Sequence, residues 1–378
     1  SRLTIGFHSW AMLLRLTGAT MQTRFRFWAL LLGFLGTSLL GCGGTGSIED
    51  KRGTGGSTNG EGPGNHGVVF VGFDASAPLV QALKQGKLQG IVVQNPYLMG
   101  QTGVKTLVKH LEKEPVEAQI STGETMVTSE NMETAEVRPL IRPEQAENRT
   151  EAGLSGPKSK KWRIMVIPKG TTHEFWKTIH AGALKGAADL GNVEVIWQGP
   201  QKEDDRLQQI QLVQNAIAAG VDGIVLAPLD AKALVKPVED AVAKGIPVVI
   251  IDSGLDSKKI VSYVATNNYN GGVLAARRLG SLLKGEGKII LLRYAVGSES
   301  TEQREAGFVD TIKAEFPKIQ YLSDSEYAGA TSDTAQQKSQ SLVTRYRGQV
   351  DGVFCCNESS TFGMLRALEG AGMLASGK

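Results

Sequence analysis

From Trp162 onward the chain alternates short, wholly apolar runs with longer amphipathic ones, and this alternation constrains its fold more than any other feature. Runs such as Ile224-Val225-Leu226 and Val248-Val249-Ile250-Ile251 have no polar residue on either face. Strands of that kind belong to a parallel sheet covered by helices on both sides. The pattern predicts strands at 163–167, 193–197, 223–226, 247–251 and 261–265, with helices at 175–190, 204–219 and 231–244. After a turn at 266–270 a second series begins. It has helices at 271–283, 301–316, 331–345 and 359–370, and strands at 288–292, 320–323 and 352–356. Two consecutive units of this type make a two-lobed α/β protein.

The stretch 67–103 has the same character. A buried strand (68–73) leads to a polar turn carrying Asp74, then an amphipathic helix, then a second apolar strand (90–93) that stops at Gln94-Asn95-Pro96. Open α/β sheets bind ligands beyond the carboxyl ends of their strands, so polar residues at two strand ends point to a cleft. Leu98, Val104, Leu107, Val108 and Leu111 are spaced as one face of a helix, and 116–127 reads as a single extended segment. Residues 130–160 are polar without apolar periodicity and read as a linker.

Ahead of this lies a different kind of sequence. Met21-Gln-Thr-Arg-Phe-Arg opens a basic region, and 27–40 is uncharged. Such a run is shorter than the roughly 20 residues of a membrane span and suits a signal peptide. It closes on Ser38-Leu39-Leu40-Gly41-Cys42, which resembles the lipobox of bacterial lipoproteins; that resemblance implies an acylated Cys42, with Met21 as the start. Residues 43–66 are Gly, Ser, Thr, Asn and charge. About 24 residues of that composition form a flexible tether reaching on the order of 25–30 Å.

Composition excludes several functions. The net charge of +3 is too small, and no basic stripe is interleaved with aromatics, so nucleic acid is not expected as a partner. Three cysteines, Cys42, Cys355 and Cys356, make no disulfide framework; the adjacent pair reads as buried strand thiols. No Ser-His-Asp ordering, P-loop or His/Cys metal cluster is visible, so neither catalysis nor a metal or other cofactor is expected.

At the strand ends the residues resemble a family, the periplasmic sugar-binding proteins of ABC importers, in particular the ribose and allose binders. Six motifs carry the resemblance: Lys169-Gly-Thr-Thr-His-Glu-Phe175-Trp176, Ile251-Asp252, Arg304-Glu-Ala-Gly-Phe308, Cys356-Asn357-Glu, Val71-Gly-Phe-Asp74 and Gln94-Asn-Pro96. The first is closer to the allose binder. The resemblance implies two Rossmann-like lobes with parallel sheets, joined by three hinge crossovers near 266–270, 94–96 and 120–123. One lobe would take 94–122 and 161–267, the other 67–93, 123–135 and 268–378, with 136–160 as the linker. The order differs from the family's, in which the part like 67–131 comes last, so the chain resembles a circular permutation.

The implied ligand set is Lys169, His173, Phe175, Trp176, Asp252, Arg304, Asn357, Asp74 and Gln94. Carboxylates and amides would pair with hydroxyls, Arg304 would donate to two at once, and Phe175 and Trp176 would cover the ring. Tyr327 would add a wall. His173 replaces an asparagine of the family pattern, and Ser253 stands where the ribose binder has an arginine, which argues against simple ribose specificity. The function implied is capture of a pyranose pentose or hexose by hinge closure and delivery to an ABC permease. The protein would be a monomer in the periplasm or at the cell surface, held at the membrane only by its lipid. A sensor feeding a chemoreceptor or kinase would have the same site. A repressor's effector domain would need a helix-turn-helix where the signal-like segment lies.

Overall fold

The computed structural model describes residues 67–142 and 161–374. The first part contains β1 (Val69–Phe73), α1 (Ala77–Lys84), β2 (Gly90–Gln94), α2 (Pro96–Leu111), β3 (Gln119–Ser121) and β4 (Glu124–Val127). The second begins with β5 (Trp162–Ile167), α3 (Glu174–Leu190), β6 (Val193–Trp197), α4 (Arg206–Ala218), β7 (Gly223–Leu226), α5 (Val235–Ala243), β8 (Val248–Ile251) and β9 (Ser262–Ala265). It continues with α6 (Asn268–Leu282), β10 (Glu286–Leu292), α7 (Glu299–Glu315), β11 (Lys318–Ser323), α8 (Ser332–Arg345), β12 (Gly352–Cys355) and α9 (Glu358–Gly370).

The strands form two six-stranded sheets, ordered β11-β10-β12-β1-β2-β4 and β3-β9-β8-β7-β5-β6. Every pairing is parallel except that of β2 with β4. Both faces of each sheet are covered, as the apolar strands require. Along β12, Val353 and Cys355 face one core while Phe354 and Cys356 face the other. In β8, Val249 and Ile251 face one core, Val248 and Ile250 the opposite one. This is the two-residue alternation of a pleated strand. It also explains why the two cysteines remain free thiols: they point to opposite faces.

Within the described residues the chain passes between the sheets at 94–96, 121–124 and 265–268. The second passage falls at the crossover expected near 120–123, within the run 116–127 that reads as extended. That run is two strands in different sheets, broken at Gly123, whose φ of +78° turns the chain. At the third passage α6 starts at Asn268 rather than at 271. Asn267 caps it, accepting from the Asn270 N–H at 3.1 Å, so an asparagine-rich run that reads as a turn is the start of a helix. The packed body also extends beyond 135: Met132, Val137 and Ile141 are buried in the core of the first sheet's half. Three widely spaced apolar residues in a polar stretch carry no periodic signal, which hid this packing from the sequence.

Two helix pairs approach so closely that only glycine fits. A Cβ on Gly182 of α3 would lie 2.0 Å from the Tyr97 carbonyl oxygen at the start of α2, and one on Gly307 of α7 would lie 2.1 Å from that of Tyr269 in α6. These contacts set α3 and α7 against their neighbours, and both helices carry site residues.

Candidate functional site

The carboxyl ends of the two sheets face one another across a small polar cavity. Asp74 follows β1 and Asp252 follows β8. Both adopt the left-handed backbone conformation, with φ of 66° and 65°. Aspartate tolerates that conformation better than most residues, and non-glycine residues held there are often functional. At Asp252 the turn is fixed by bonds from the Tyr263 hydroxyl and the Asn268 amide to its carbonyl, each 3.3 Å.

All nine residues expected to bind ligand line this cavity: Lys169, His173, Phe175, Trp176, Asp252, Arg304, Asn357, Asp74 and Gln94. Lys169 is buried and pairs with Asp252 Oδ2 at 2.9 Å, and its ammonium also donates to Ser298 and Ser300 at 3.2 and 3.1 Å. Arg304 is 2% exposed; its Nε donates to Asn268 Oδ1 and one Nη to the Cys356 carbonyl, and its guanidinium lies 4.1 Å from the centre of the Phe73 ring. Phe175 and Trp176 meet edge to face, their centroids 4.9 Å apart. Asn357 is also the N-cap of α9, its oxygen accepting from the Ser360 N–H at 3.2 Å, so its Nδ2 is the half of the amide that serves as a donor. Gln94 donates to Asp74 at 2.7 Å, while its Oε1 is buried without a partner.

His173 lines the inner cavity. It forms an ion pair with Glu203, a buried carboxylate that also accepts from Trp176 Nε1 at 2.6 Å and from the Tyr294 hydroxyl at 2.7 Å. Burial opposes the charge on His173, but Glu203 holds its pKa up to about 9. Burial likewise opposes the charge on Glu203, and His173 holds it down to about 2. Elsewhere burial dominates. It pushes Glu358 up to about 7 despite nearby His173, and raises Asp74 against the pull of Arg304.

The sequence reading missed Glu203, Tyr294, Ser298, Ser300, Thr301 and Glu358, all of which line the cavity. Glu358 follows Asn357 within a quoted motif, so adjacency pointed to it; Glu203 sits in a run of charged residues that offers no means of choosing one. Tyr327, expected as a wall, is 41% exposed and is absent from the cavity lining. Its backbone bridges Arg293 just past the end of β10. Cys42, the expected acylation site, lies outside the described residues. Among the described residues no cluster of His, Cys, Asp or Glu is arranged to hold a metal ion.

The two halves are bridged at the cavity by the chain's own bonds. Besides those of Lys169 and Tyr294, Glu358 accepts from the Glu174 and Phe175 N–H groups at 3.4 and 3.2 Å, and Ser253 Oγ accepts from the Ser300 N–H at 2.9 Å. The cavity encloses about 30 Å³, room for roughly two water molecules. A molecule the size of a sugar ring would fit only with the halves parted or the side chains swung aside.

Two open α/β halves, three crossovers and a polar cavity between strand ends define a two-lobed binding protein. The chain belongs to the family described as the periplasmic binding protein domain, whose model matches residues 164–378. It is 31% identical over 222 residues to the D-ribose/D-allose-binding protein of Pseudomonas aeruginosa, covering 56% of this chain and 68% of that protein. It is 28% identical over 185 residues to the xylitol-binding protein of Mycolicibacterium smegmatis, covering 49% of this chain and only 52% of that relative. Among solved structures it resembles a carbohydrate transporter solute-binding protein from Agrobacterium radiobacter in complex with D-arabinose. The TM-score is 0.54 and the identity 34%, over 57% of this chain and 73% of that one.

Proposed function

We propose that this protein captures a sugar outside the cytoplasm by closing two lobes over it and presents the closed form to an ABC permease. The observation that carries the reading is the convergence of both sheets on one buried cavity. There, charged and amide groups stand beside an aromatic pair, the chemistry that hydroxyls and C–H faces require. The unpartnered Gln94 Oε1 supports it as a ready acceptor for a ligand hydroxyl. Lys169, Phe175, Trp176 and Asp252 would act from one lobe and Arg304, Asn357 and Asp74 from the other, with Gln94 at a crossover. Closure is then driven by the ligand's higher affinity for the closed arrangement. Acylation of Cys42 would hold the binding body near the membrane.

We read the order of segments as circularly permuted relative to the family. Supporting this, the family match starts at 164, although β1, β2 and β4 complete the first sheet from before it. In addition, the Val68 N–H donates to the Met373 carbonyl at 2.8 Å, and Val68 bridges Leu374 in parallel.

A thermal-shift screen of the chain against ribose, allose, xylose, galactose, glucose and inositol tests the function. A sugar at 100 times its Kd adds roughly 2.7 kcal/mol, a readily measured rise in the melting midpoint. At least one sugar should give that rise. Asp252→Asn, which keeps a side chain tolerant of the left-handed turn but removes the charge, should abolish most of it. A cooperative melt that no sugar moves would remove the sugar reading.

A further inference from the structure

Beside the inner cavity, between the same two halves, lies a second and much larger chamber of about 360 Å³, within the range of about 300–1,000 Å³ typical of small-molecule pockets. The two spaces share His173 and Glu358 as a common wall, and both side chains keep some exposure. We propose that the ligand is longer than one ring: a neutral disaccharide or glycoside, with one sugar in the inner cavity and its second unit in the outer chamber. This rests on the sugar-binding reading and specifies its substrate class.

The two chambers differ in chemistry as two subsites should. The inner one is crowded with buried charged groups that bond to one another and to the opposite half, and these would read the hydroxyls of one particular ring. The outer one is looser. Its wall carries both signs, His173 and Lys202 beside Glu174 and Glu358, so no single charge dominates to select an acid or an amine over a neutral unit. Half-buried Phe362 supplies an apolar face for ring C–H groups, and small Ser332 leaves the space clear. A ligand confined to one ring would leave this adjoining chamber unused.

Titration calorimetry on the full chain tests the proposal. Free ribose, xylose, allose, glucose and galactose would be compared with cellobiose, maltose, lactose, xylobiose and the phenyl glycosides of the same sugars. At least one two-unit compound should bind tenfold or more tighter than its parent monosaccharide. Ser332→Trp, which fills the outer chamber from the half-buried start of α8, should return that compound to the parent's Kd while the parent's own Kd stays within about twofold. Phe362→Ala gives an independent second variant and should narrow the same gap several-fold. Monosaccharides that bind as tightly as every two-unit compound, or a gap unmoved by both variants, would overturn the two-chamber ligand and leave the sugar reading intact. Binding by no compound of either length would overturn both.

Discussion

At the residue scale the His173–Glu203 pair gives the site a pH dependence whose sign can be worked out. The pKa of His173 is raised from 6.5 to about 9, so its contribution to stability is complete below pH 6.5 and lost as pH rises through 9. That of Glu203 is lowered from 4.5 to about 2, so its contribution is complete above pH 4.5 and lost as pH falls through 2. Both contribute fully between about pH 4.5 and 6.5. The stability difference between the chain and His173→Gln, taken from denaturant melts, should be on the order of 1–3 kcal/mol near pH 6 and shrink above pH 9. A difference that is constant from pH 6 to pH 10 would show that His173 is not charged in the folded protein. The pair also shows what the sequence could reveal at this scale. Asp74, Gln94, Asp252 and Asn357 were legible because each ends an apolar strand, where a polar residue stands out. Glu203 was not, because neighbouring Lys202, Asp204 and Asp205 are equally charged and only the fold turns one of them inward. Tyr294 was hidden differently: a tyrosine after an apolar strand reads as core, and the packing alone brings its hydroxyl to Glu203.

At the element scale the close helix pairs govern how well the site is held. Arg304 sits on α7 one turn before Gly307, whose missing Cβ lets that helix approach α6. In Gly307→Ala the added carbon would meet the Tyr269 carbonyl, a backbone atom that cannot rotate away. Overpacking of this kind costs about 1–3 kcal/mol. The variant should therefore melt lower and bind its sugar more weakly, since Arg304 moves with its helix; an unchanged melting midpoint would mean that the α6–α7 contact is looser than the structure shows. The strands were easier to read than such contacts. Wholly apolar runs announce a doubly covered sheet, and the parallel pairings follow. What the sequence concealed were the places where tertiary context overrides local pattern. The cap at Asn267 begins a helix inside what reads as a turn, and Met132, Val137 and Ile141 are packed inside what reads as a linker.

For the molecule as a whole, the proposed closure would make the bonds across the cleft the terms that set the balance between open and closed forms. The Tyr294 hydroxyl joins its half to Glu203 of the other half at 2.7 Å. In Tyr294→Phe that bond is lost, yet Glu203 keeps His173 and Trp176 as partners, so no buried charge is stranded. A hydrogen bond to a charged group is worth about 1.5–3 kcal/mol, enough to shift a two-state equilibrium by roughly tenfold or more. The variant should thus populate the open form to a greater extent without sugar, seen as a larger radius of gyration in solution scattering. With saturating sugar both chains should reach the same compact value, because ligand contacts then hold the halves together. If the sugar-free variant scatters like the parent chain, Tyr294 does not bear on closure. Closure must then be set by the other bridges, those of Lys169 to Ser298 and Ser300 and of Glu358 to the start of α3, where the same experiment with Ser300→Ala would follow.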